Sequence, residues 1–323
     1  MRAFITGATG FIGGHIARRL RERGDEVVAS VRSPQKGQPL IRLGCELMPG
    51  DLSDVAGLRD AMKGCDSIFH VAASYKVGVK DEECRQMHEA NVDGTRNVIE
   101  AAVQADAGRI VYVSTIGYFG NTKGQVVDET FVRSDLDWLS CYDETKYLAH
   151  EVARDYIDKG VPIVIAMPGG VYGPGDTSDL RRLFDLARRG RAKVLMLPGT
   201  GFNFLHVEDA AAGVILVYDR GTPGESYVLG GELSTMGELI TRIASLSGHK
   251  PPRRELPVRV MKAAIPIWGL LARLLKLPPN LKELIKGGDG VTYWATDAKA
   301  RRELGYSPRA LGVGLRQTLD ALS

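Results

Sequence analysis

The segment Thr6-Gly7-Ala8-Thr9-Gly10-Phe11-Ile12-Gly13 decides the fold of this chain. It follows an apolar run, Arg2–Thr6, typical of a buried strand, and opens an amphipathic pattern, Phe11–Arg23, typical of a helix. The first glycine permits a tight turn, the second lets the backbone approach an anion, and the third lets helix and strand pack closely. Although the spacing is G-x-x-G-x-x-G rather than the commoner G-x-G-x-x-G, its position between strand and helix predicts a loop that binds a dinucleotide pyrophosphate.

Strand-like and helix-like stretches continue to alternate through the first half of the chain. Further strands are predicted at Glu26–Val31, Glu46–Met48, Ser67–Val71, Arg109–Ser114 and Pro162–Ala166, and further helices at Val55–Lys63, Asp81–Gln104 and Leu139–Asp158. Because each crossover must return over the sheet, this alternation produces parallel strands with helices on both faces. The predicted fold class is therefore α/β, a Rossmann-type doubly wound parallel sheet.

The alternation ends after Ala166, and this change predicts the domain organisation. Residues 1–167 are expected to form the dinucleotide-binding domain, and 203–229 to return to its sheet as strand, helix and strand. Residues 168–202 and 230–323 are expected to form a smaller, mostly helical portion that binds substrate. Since ligands of doubly wound folds lie at the carboxyl ends of the strands, this portion should cover that edge.

Composition excludes several classes of protein. The chain has 323 residues, 42 basic and 39 acidic, and a net charge of +3, which is too weak to predict nucleic-acid binding. No apolar run reaches the roughly 18 residues of a membrane span, and the amino terminus has no signal-peptide pattern, so we expect a cytoplasmic protein. The four cysteines show no metal-binding or C-x-x-C spacing, which predicts reduced thiols and no metal site.

The end of the second predicted strand bears on the choice of dinucleotide. A site selective for NAD would place Asp or Glu there for the ribose hydroxyls, but the sequence has Arg32 followed by Ser33. A cation suits a 2′-phosphate, and no carboxylate is present to repel it. We therefore expect NADP(H) to be preferred, with NAD(H) possible.

A tyrosine and a lysine form the candidate proton-transfer pair. Tyr142 and Lys146 lie four residues apart in a predicted helix and so share one face. A free phenol titrates near ~10, and a neighbouring ammonium is expected to lower that pKa. The phenol could then exchange a proton with a hydroxyl or carbonyl group. A third group should hydrogen-bond the reacting oxygen from the end of the strand Arg109–Ser114, and spacing alone leaves Ser114 and Thr115 as alternatives.

With these elements in place, the chain resembles the extended short-chain dehydrogenase/reductase superfamily, which includes the NAD-dependent epimerase/dehydratase family. The likeness runs end to end through Thr6–Gly13, Asp51-Leu52, His70–Ala73, Asn91–Thr95, Val111–Gly120, Tyr142 with Lys146, Pro168–Asp176, His206–Asp209 and Asp297–Tyr306.

The resemblance implies roles for individual residues. It assigns the catalytic hydroxyl to Thr115 rather than Ser114, beside Tyr142 and Lys146. It implies that Asn91 lies near the site, although a helix-bending role for its amide is an equal alternative. The implied cofactor-binding residues are Thr6, Gly7, Gly10, Phe11, Ile12, Gly13, Arg32, Asp51 and Leu52 at the adenine, Ala72 and Ala73 at the groove floor, Tyr142, Lys146, and Pro168, Gly170 and Val171 at the nicotinamide.

Within the superfamily the chain resembles the dihydroflavonol-reductase-like branch, which implies NADPH-dependent reduction of a ketone or aldehyde. The segment Gly201–Val207 lacks the arginine that nucleotide-sugar enzymes place just before the Phe, here Phe202. Arginines at 181, 182, 188 and 189 could substitute, but such a helix is more often a solvated face. An NAD-dependent nucleotide-sugar epimerase or dehydratase is the alternative. A non-catalytic dinucleotide sensor is disfavoured because the Tyr–Lys pair is present.

Two further expectations concern partners. The basic amphipathic segment 257–277, interrupted by Pro266, is expected to pack on its own domain or to cover an apolar pocket, with peripheral membrane contact at most. A covering role would favour a small hydrophobic substrate. The helices Asp81–Gln104 and Leu139–Asp158 resemble those that pair in family dimers, which implies a homodimer.

Overall fold

A computed structural model describes residues 1–134, 136–275 and 279–322. Within these residues a parallel seven-stranded sheet forms the centre of the molecule, in the order β10-β6-β5-β4-β1-β2-β3. Its first strands are β1 (Arg2–Thr6), β2 (Glu26–Val31), β3 (Glu46–Pro49), β4 (Ser67–His70), β5 (Arg109–Val113) and β6 (Ile163–Pro168). The later strands of the chain are β7 (Gly170–Tyr172), β8 (Val194–Leu195), β9 (Gly201–His206), β10 (Ser226–Leu229), β11 (Glu232–Thr235) and β12 (Arg254–Glu255).

Helices cover both faces of this sheet and make up most of the C-terminal portion. Those of the first half are α1 (Phe11–Glu22), α2 (Gln38–Arg42), α3 (Val55–Met62), α4 (Asp81–His88), α5 (Gly94–Gln104) and α6 (Cys141–Asp158). Those that follow are α7 (Asp179–Arg188), α8 (Val207–Arg220), α9 (Met236–Leu246), α10 (Val258–Ala264), α11 (Trp268–Leu275), α12 (Leu281–Gly288), α13 (Ala298–Leu304) and α14 (Leu311–Asp320). In the part of the chain described, no helix has both the length and the apolar character that crossing a bilayer requires.

The central strands are buried on both faces. Every residue of β4 and of β6 is buried, and β5 is buried from Ile110 onward. Their apolar side chains alternate between two cores, one against α1 and α8 and one against α3, α5 and α6. Continuous apolar strands are what a doubly covered parallel sheet requires. The Rossmann-type fold expected from the sequence is therefore confirmed.

The expected return of 203–229 to the main sheet is wrong for its first strand. Only β10 joins the main sheet, beside β6, whereas β9 pairs with β7 and β11 in a separate three-stranded sheet. Glycines make this small sheet possible, because a Cβ at Gly231 would lie 2.0 Å from the Phe204 carbonyl oxygen, and one at Gly169 2.3 Å from that of Asn203. These close backbone approaches direct β9 over the carboxyl edge of the main sheet.

The prediction that all four cysteines are reduced is also wrong. Cys84 in α4 and Cys141 at the start of α6 form a disulfide, with their Cα atoms 5.7 Å apart. Cys45 and Cys65 are buried free thiols. The two bridging residues are 57 positions apart in sequence, so the helix packing that brings them together could not be recognised from spacing.

We expect this disulfide to stabilise the protein by about 2–4 kcal/mol, since it closes a long loop in the unfolded chain. Urea denaturation with and without a thiol reductant measures the difference in the free energy of unfolding. The double variant Cys84→Ala/Cys141→Ala is the control, because reductant should leave its stability unchanged. Titration of four free thiols in the denatured, unreduced protein would contradict the bond.

Candidate active site

The glycine loop follows β1 and ends at Gly10, the residue that precedes α1. Gly7 has φ +75°, and a Cβ there would lie 2.6 Å from the Ala72 backbone nitrogen after β4. A Cβ on Gly13 would lie 2.2 Å from the Gly7 carbonyl oxygen. Glycine at position 7 thus permits the tight turn and the close approach of the loop to the residues after β4. Glycine at position 13 lets α1 pack against the loop.

The amino end of α1 can hold an anion. Gly10 precedes the helix in an extended conformation and provides no side-chain hydrogen bond to its first turn, which contains no acidic residue. The first-turn amides, beginning with those of Phe11 and Ile12, have no partner within the helix itself, and the helix dipole adds positive charge there. A Cβ on Gly10 would contact only the Gly7 carbonyl oxygen, at 3.1 Å. The loop therefore fits a dinucleotide pyrophosphate.

Behind the loop, buried polar side chains connect β1, β4 and α5. The Thr6 hydroxyl lies 2.7 Å from His70 Nδ1, and His70 Nε2 lies 3.0 Å from the Thr95 hydroxyl. Burial lowers the pKa of His70 to about 3, so its ring is neutral. Its two hydrogen bonds fix the loop relative to the residues after β4.

The residues expected at the adenine lie after β2 and β3. The Asp51 carboxylate accepts hydrogen bonds from the backbone and hydroxyl of Ser53, which together with nearby Arg32 lower its pKa. Leu52 is half-buried, and its carbonyl accepts a hydrogen bond from Asn97. Arg32 is exposed directly after β2. The structure therefore brings Arg32 and Asp51 to one corner of the sheet edge.

Ser114 and Thr115, the two candidates for the hydroxyl that hydrogen-bonds the reacting oxygen, lie in different environments at the end of β5. Ser114 is buried and hydrogen-bonds His150 of α6 over 2.8 Å. The Thr115 hydroxyl accepts a hydrogen bond from the Gly117 amide and lies within hydrogen-bonding reach of the Tyr142 phenol. Thr115 is thus the hydroxyl adjacent to Tyr142. The hydrogen bond from Ser114 to His150 could not be predicted from the sequence, because His150 lies on another element, α6.

Tyr142 and Lys146 face the end of β5 from α6. Lys146 is buried, and its ammonium donates hydrogen bonds to the Tyr112 hydroxyl at 3.2 Å and the Val113 carbonyl at 3.1 Å. The expectation that Lys146 lowers the pKa of Tyr142 is not met, because burial raises the pKa of this phenol well above its ordinary value. Tyr142 is therefore protonated at neutral pH and can donate a proton. Tyr112 is a partner that sequence reasoning missed, since it resembles an ordinary core residue.

Burial lowers the pKa of Lys146 from 10.5 to about 7. Between these values the unfolded chain binds a proton that the folded chain does not, so stability should rise with pH by up to ~1.4 kcal/mol per unit. Lys146→Met removes this contribution. The unfolding free energy of the wild type relative to the variant should increase from about pH 7 to about pH 9. Exposed Lys159, the residue that follows α6, provides the control as Lys159→Met. Equal pH slopes for the wild type and Lys146→Met would contradict the expectation.

The long predicted helix over 81–104 contains a π-helical turn at Glu89–Asp93, between α4 and α5. Asn91 lies in this turn and is buried. Its amide accepts a hydrogen bond from Ser74 N and donates to the Ser74 carbonyl and the Thr145 hydroxyl. Asn91 therefore connects the chain after β4 to the helix that bears Tyr142, a positioning role that combines its two predicted alternatives.

A buried ion pair holds the start of α6. Arg133 and Asp143 form two hydrogen bonds of 2.9 Å, and their side chains are 6% and 4% exposed. Asp143 also accepts from the Leu139 amide. Sequence reasoning did not single out this pair, because Arg133 lies in an irregular loop. It anchors the residue that follows Tyr142.

A cavity of about 320 Å³ approaches Tyr142 through Tyr75, and its lining also includes the charged residues Lys76, Glu83 and Asp179. Tyr75 lines it, and its ring packs edge-on against Tyr142 with the centroids 4.6 Å apart. Nearby, Tyr293 stacks on Phe202 at 5.2 Å. The other walls of the cavity come from the loop after β4, the start of α7 and Pro279. Pro168 ends β6, and Gly170 and Val171 lie in β7, at the same carboxyl edge of the sheet.

The His206 cluster has structural contacts. His206 caps α8 by accepting the Glu208 amide, and Glu208 binds His15, Arg18 and Arg19 of α1. Asp209 pairs with Arg309. Within the described residues, no group of three or more His, Cys, Asp or Glu side chains is arranged to hold a metal ion. These acids thus connect α8 to its neighbours.

Comparisons with known proteins agree with this architecture. Residues 3–230 match the model of the NAD-dependent epimerase/dehydratase family. A Synechocystis sp. protein named as a dihydroflavonol 4-reductase is 33% identical over 79% of this chain and 75% of its own. A farnesyl-dihydroquinoline-oxide ketoreductase of Stigmatella aurantiaca is 32% identical over 100% and 96%. The dTDP-glucose 4,6-dehydratase of Streptomyces venezuelae, solved with NAD, has TM-score 0.80 and 26% identity, covering 99% and 96% of the chains. The chain therefore belongs to the NAD-dependent epimerase/dehydratase family, within the extended short-chain dehydrogenase/reductase superfamily, and is an NAD(P)-dependent oxidoreductase.

Proposed function

We propose that this protein is an NADPH-dependent reductase of a ketone or aldehyde on a small, hydrophobic substrate. The observation that carries the proposal is the convergence of Thr115, Tyr142 and Lys146 at the end of β5, between the glycine loop and the cavity beside Tyr75. When bound, the nicotinamide supplies hydride to the substrate carbonyl. The reductase names of the curated relatives support the same chemistry.

The proposed roles follow from the protonation states of these residues. Tyr142, protonated at neutral pH, donates its proton to the oxygen of the reacting carbonyl. Thr115 hydrogen-bonds that oxygen and keeps it beside the phenol. Lys146 orients the cofactor ribose and supplies positive charge near Tyr142 as the phenolate forms.

The proposed hydrophobic substrate rests on the side chains near the cavity. Tyr75 lines the cavity and packs against Tyr142, and Val77, Val79 and Pro279 add apolar surface to the cavity walls. Two of the four arginines weighed as a pyrophosphate clamp, Arg181 and Arg188, both bind Asp185 within α7. A nucleotide-sugar diphosphate would therefore find fewer cations than it requires.

The test is a panel of aliphatic, aromatic and polycyclic ketones and aldehydes, assayed by loss of NADPH absorbance. Turnover that increases with the apolar size of the substrate supports the proposal. Binding of NADPH without turnover across the panel would count against it and favour a non-catalytic dinucleotide sensor.

The alternative function is NAD-dependent epimerisation or dehydration of a nucleotide sugar. The similarity to the solved dTDP-glucose 4,6-dehydratase favours it. It predicts tightly retained NAD and no net consumption of added NADPH, because such reactions return the hydride to the same substrate. The absorbance spectrum of the purified protein, read for copurified dinucleotide, separates the two functions.

We expect Arg32 to determine the preference for NADPH. Arg32→Ala removes a charge-assisted contact to the 2′-phosphate that is worth about 1.5–3 kcal/mol, so the Kd for NADPH should rise roughly 10- to 100-fold. The Kd for NADH should change little. Fluorescence titration with both cofactors measures this. The control is Arg42→Ala, an exposed arginine at the end of α2. Equal losses of affinity for NADPH and NADH would contradict the assignment of Arg32 to the 2′-phosphate.

Three further predictions remain proposals. The homodimer would form through α4, α5 and α6, and sedimentation equilibrium tests it.

The Cys84–Cys141 bond argues against the predicted cytoplasmic location, because disulfides are rare in reducing compartments. Cell fractionation tests the location. The division into 1–167 and a substrate portion of 168–202 with 230–323 is tested by limited proteolysis, which should cut near the boundaries.

A further inference from the structure

The C-terminal portion contains a concentrated positive charge that the catalytic site does not use. Residues 250–286 include nine basic and two acidic residues, which gives this segment a formal charge of +7 in a chain whose total is +3. Between 250 and 282 the sequence contains one carboxylate, that of Glu255. The rest of the chain is therefore net acidic, and the net positive charge of the molecule comes from this segment.

In α10 and α11, some side chains are buried against the rest of the protein and others are exposed. Met261, Trp268 and Ala272 are buried and pack against α12. Val260 and Ile267 point away from that core and are 48% and 60% exposed. Among the described residues of 258–275, the cations Arg259, Lys262 and Arg273 are exposed. We call this set, Arg259, Val260, Lys262, Ile267 and Arg273, the basic apolar face.

The exposed residues of this segment combine cations with aliphatic side chains, as in helices that bind a bilayer interface. Val260 lies in α10, and Ile267 lies in the 3-10 turn Ile265–Ile267 that joins α10 to α11; both are exposed. Arg259 and Lys262, close to Val260 in sequence, are exposed as well. Cations beside exposed aliphatic side chains let a helix insert the apolar groups among acyl chains while its charges contact lipid phosphates.

The same segment leads to the candidate substrate cavity. Pro279, the next described residue after α11, lines the cavity beside Tyr75. Asn280 then donates a backbone hydrogen bond to Gly78 in the loop that forms the cavity wall. A surface bound to α10 and α11 would therefore lie close to the mouth of the cavity.

We propose that the basic apolar face docks the protein on the surface of an anionic lipid bilayer. The occupant is the membrane itself, because its phosphates complement the charge of 250–286 and its acyl chains accept Val260 and Ile267. Docking does not depend on the enzymatic proposal. Only the added consequence, that a hydrophobic substrate can enter the cavity directly from the bilayer, rests on the proposed function.

Sedimentation with phosphatidylcholine vesicles, with and without phosphatidylglycerol, tests the docking. Binding should require phosphatidylglycerol and should weaken as salt is added. Each cation near an anionic surface strengthens partitioning roughly fivefold, so Arg259→Gln/Lys262→Gln should bind roughly 25-fold more weakly. Ile267→Asp should also release the protein. The matched control is Lys63→Gln/Arg96→Gln, which removes two exposed cations, one just after α3 and one in α5, and should bind as the wild type does.

The outcomes separate docking from other roles of this face. All variants are surface changes, and unaltered melting temperatures show that they fold. No sedimentation with phosphatidylglycerol vesicles, or equal binding of the two double variants, overturns the proposal. A dimer that Ile267→Asp converts to monomer, without vesicle binding, would assign the face to a second copy of the chain instead. Because vesicle binding is measured without substrate, its failure leaves the reductase proposal unaffected.

Discussion

Tyr142→Phe is expected to lower kcat roughly 100- to 10,000-fold, the usual contribution of a positioned general acid. The change removes the donated proton but keeps the ring that packs against Tyr75. The Kd for the dinucleotide should stay nearly the same, because the glycine loop and Lys146 are intact. Steady-state turnover with the best ketone from the panel, together with a cofactor titration, measures both quantities.

Tyr147→Phe is the matched control for this experiment. Tyr147 lies on the same helix, and its ring stacks on Tyr118 with the centroids 5.0 Å apart, outside the group formed by Thr115, Tyr142 and Lys146. Its loss of the hydroxyl should leave kcat within a small factor of the wild-type value. Full activity of Tyr142→Phe would exclude the phenol as the proton donor.

Gly10→Ala is expected to weaken dinucleotide binding by roughly 10- to 100-fold, through loss of about 1.5–3 kcal/mol of charge-assisted hydrogen bonding. The added methyl group requires only a small local adjustment of the fold, because its one close neighbour is the Gly7 carbonyl oxygen at 3.1 Å. It would instead occupy the side from which the pyrophosphate approaches the first turn of α1. Isothermal titration with NADPH and NADH measures the effect.

Gly14→Ala is the control, since its Cβ would meet the Ala8 carbonyl oxygen at a similar 3.3 Å but lies one turn further along α1. Its cofactor affinity should match that of the wild type, and its helix should gain up to about 1 kcal/mol from alanine. Gly7→Ala and Gly13→Ala are less informative, because their Cβ atoms would lie 2.6 Å and 2.2 Å from backbone atoms. If Gly10→Ala bound both cofactors normally, the pyrophosphate would have to lie elsewhere.

Much of the first half of the fold could be predicted from local pattern. The boundaries of β1 and β2 agree with the sequence to the residue, and α1 and α3 each end one residue earlier than expected. In this half, apolar runs, glycine turns and helical periodicity all indicate the same structure, so neighbouring residues carry enough information. The π-helical turn at Asn91 lies inside a helix that was otherwise correctly expected.

Elements whose partners are distant in sequence were harder to predict. The apolar sequence of β9 is typical of a buried strand, and nothing in it shows which sheet it joins. The environment of Ser114 depends on His150, and the hydrogen bonds of Lys146 depend on Tyr112. The low pKa of Lys146 and the high pKa of Tyr142 both follow from burial, which is a property of the packed structure.

By itself, the sequence determined the Rossmann-type sheet, the glycine loop at its first strand and the four-residue spacing of Tyr142 and Lys146, because each strand, helix and turn is indicated by neighbouring residues. The family resemblance had already implied Thr115 rather than Ser114, and in the structure Ser114 bonds His150 while Thr115 lies beside Tyr142. Only the tertiary structure decided that Cys84 bonds Cys141 and that Tyr75 packs against Tyr142. These arrangements join residues tens of positions apart, and their geometry exists only once helices and strands have packed.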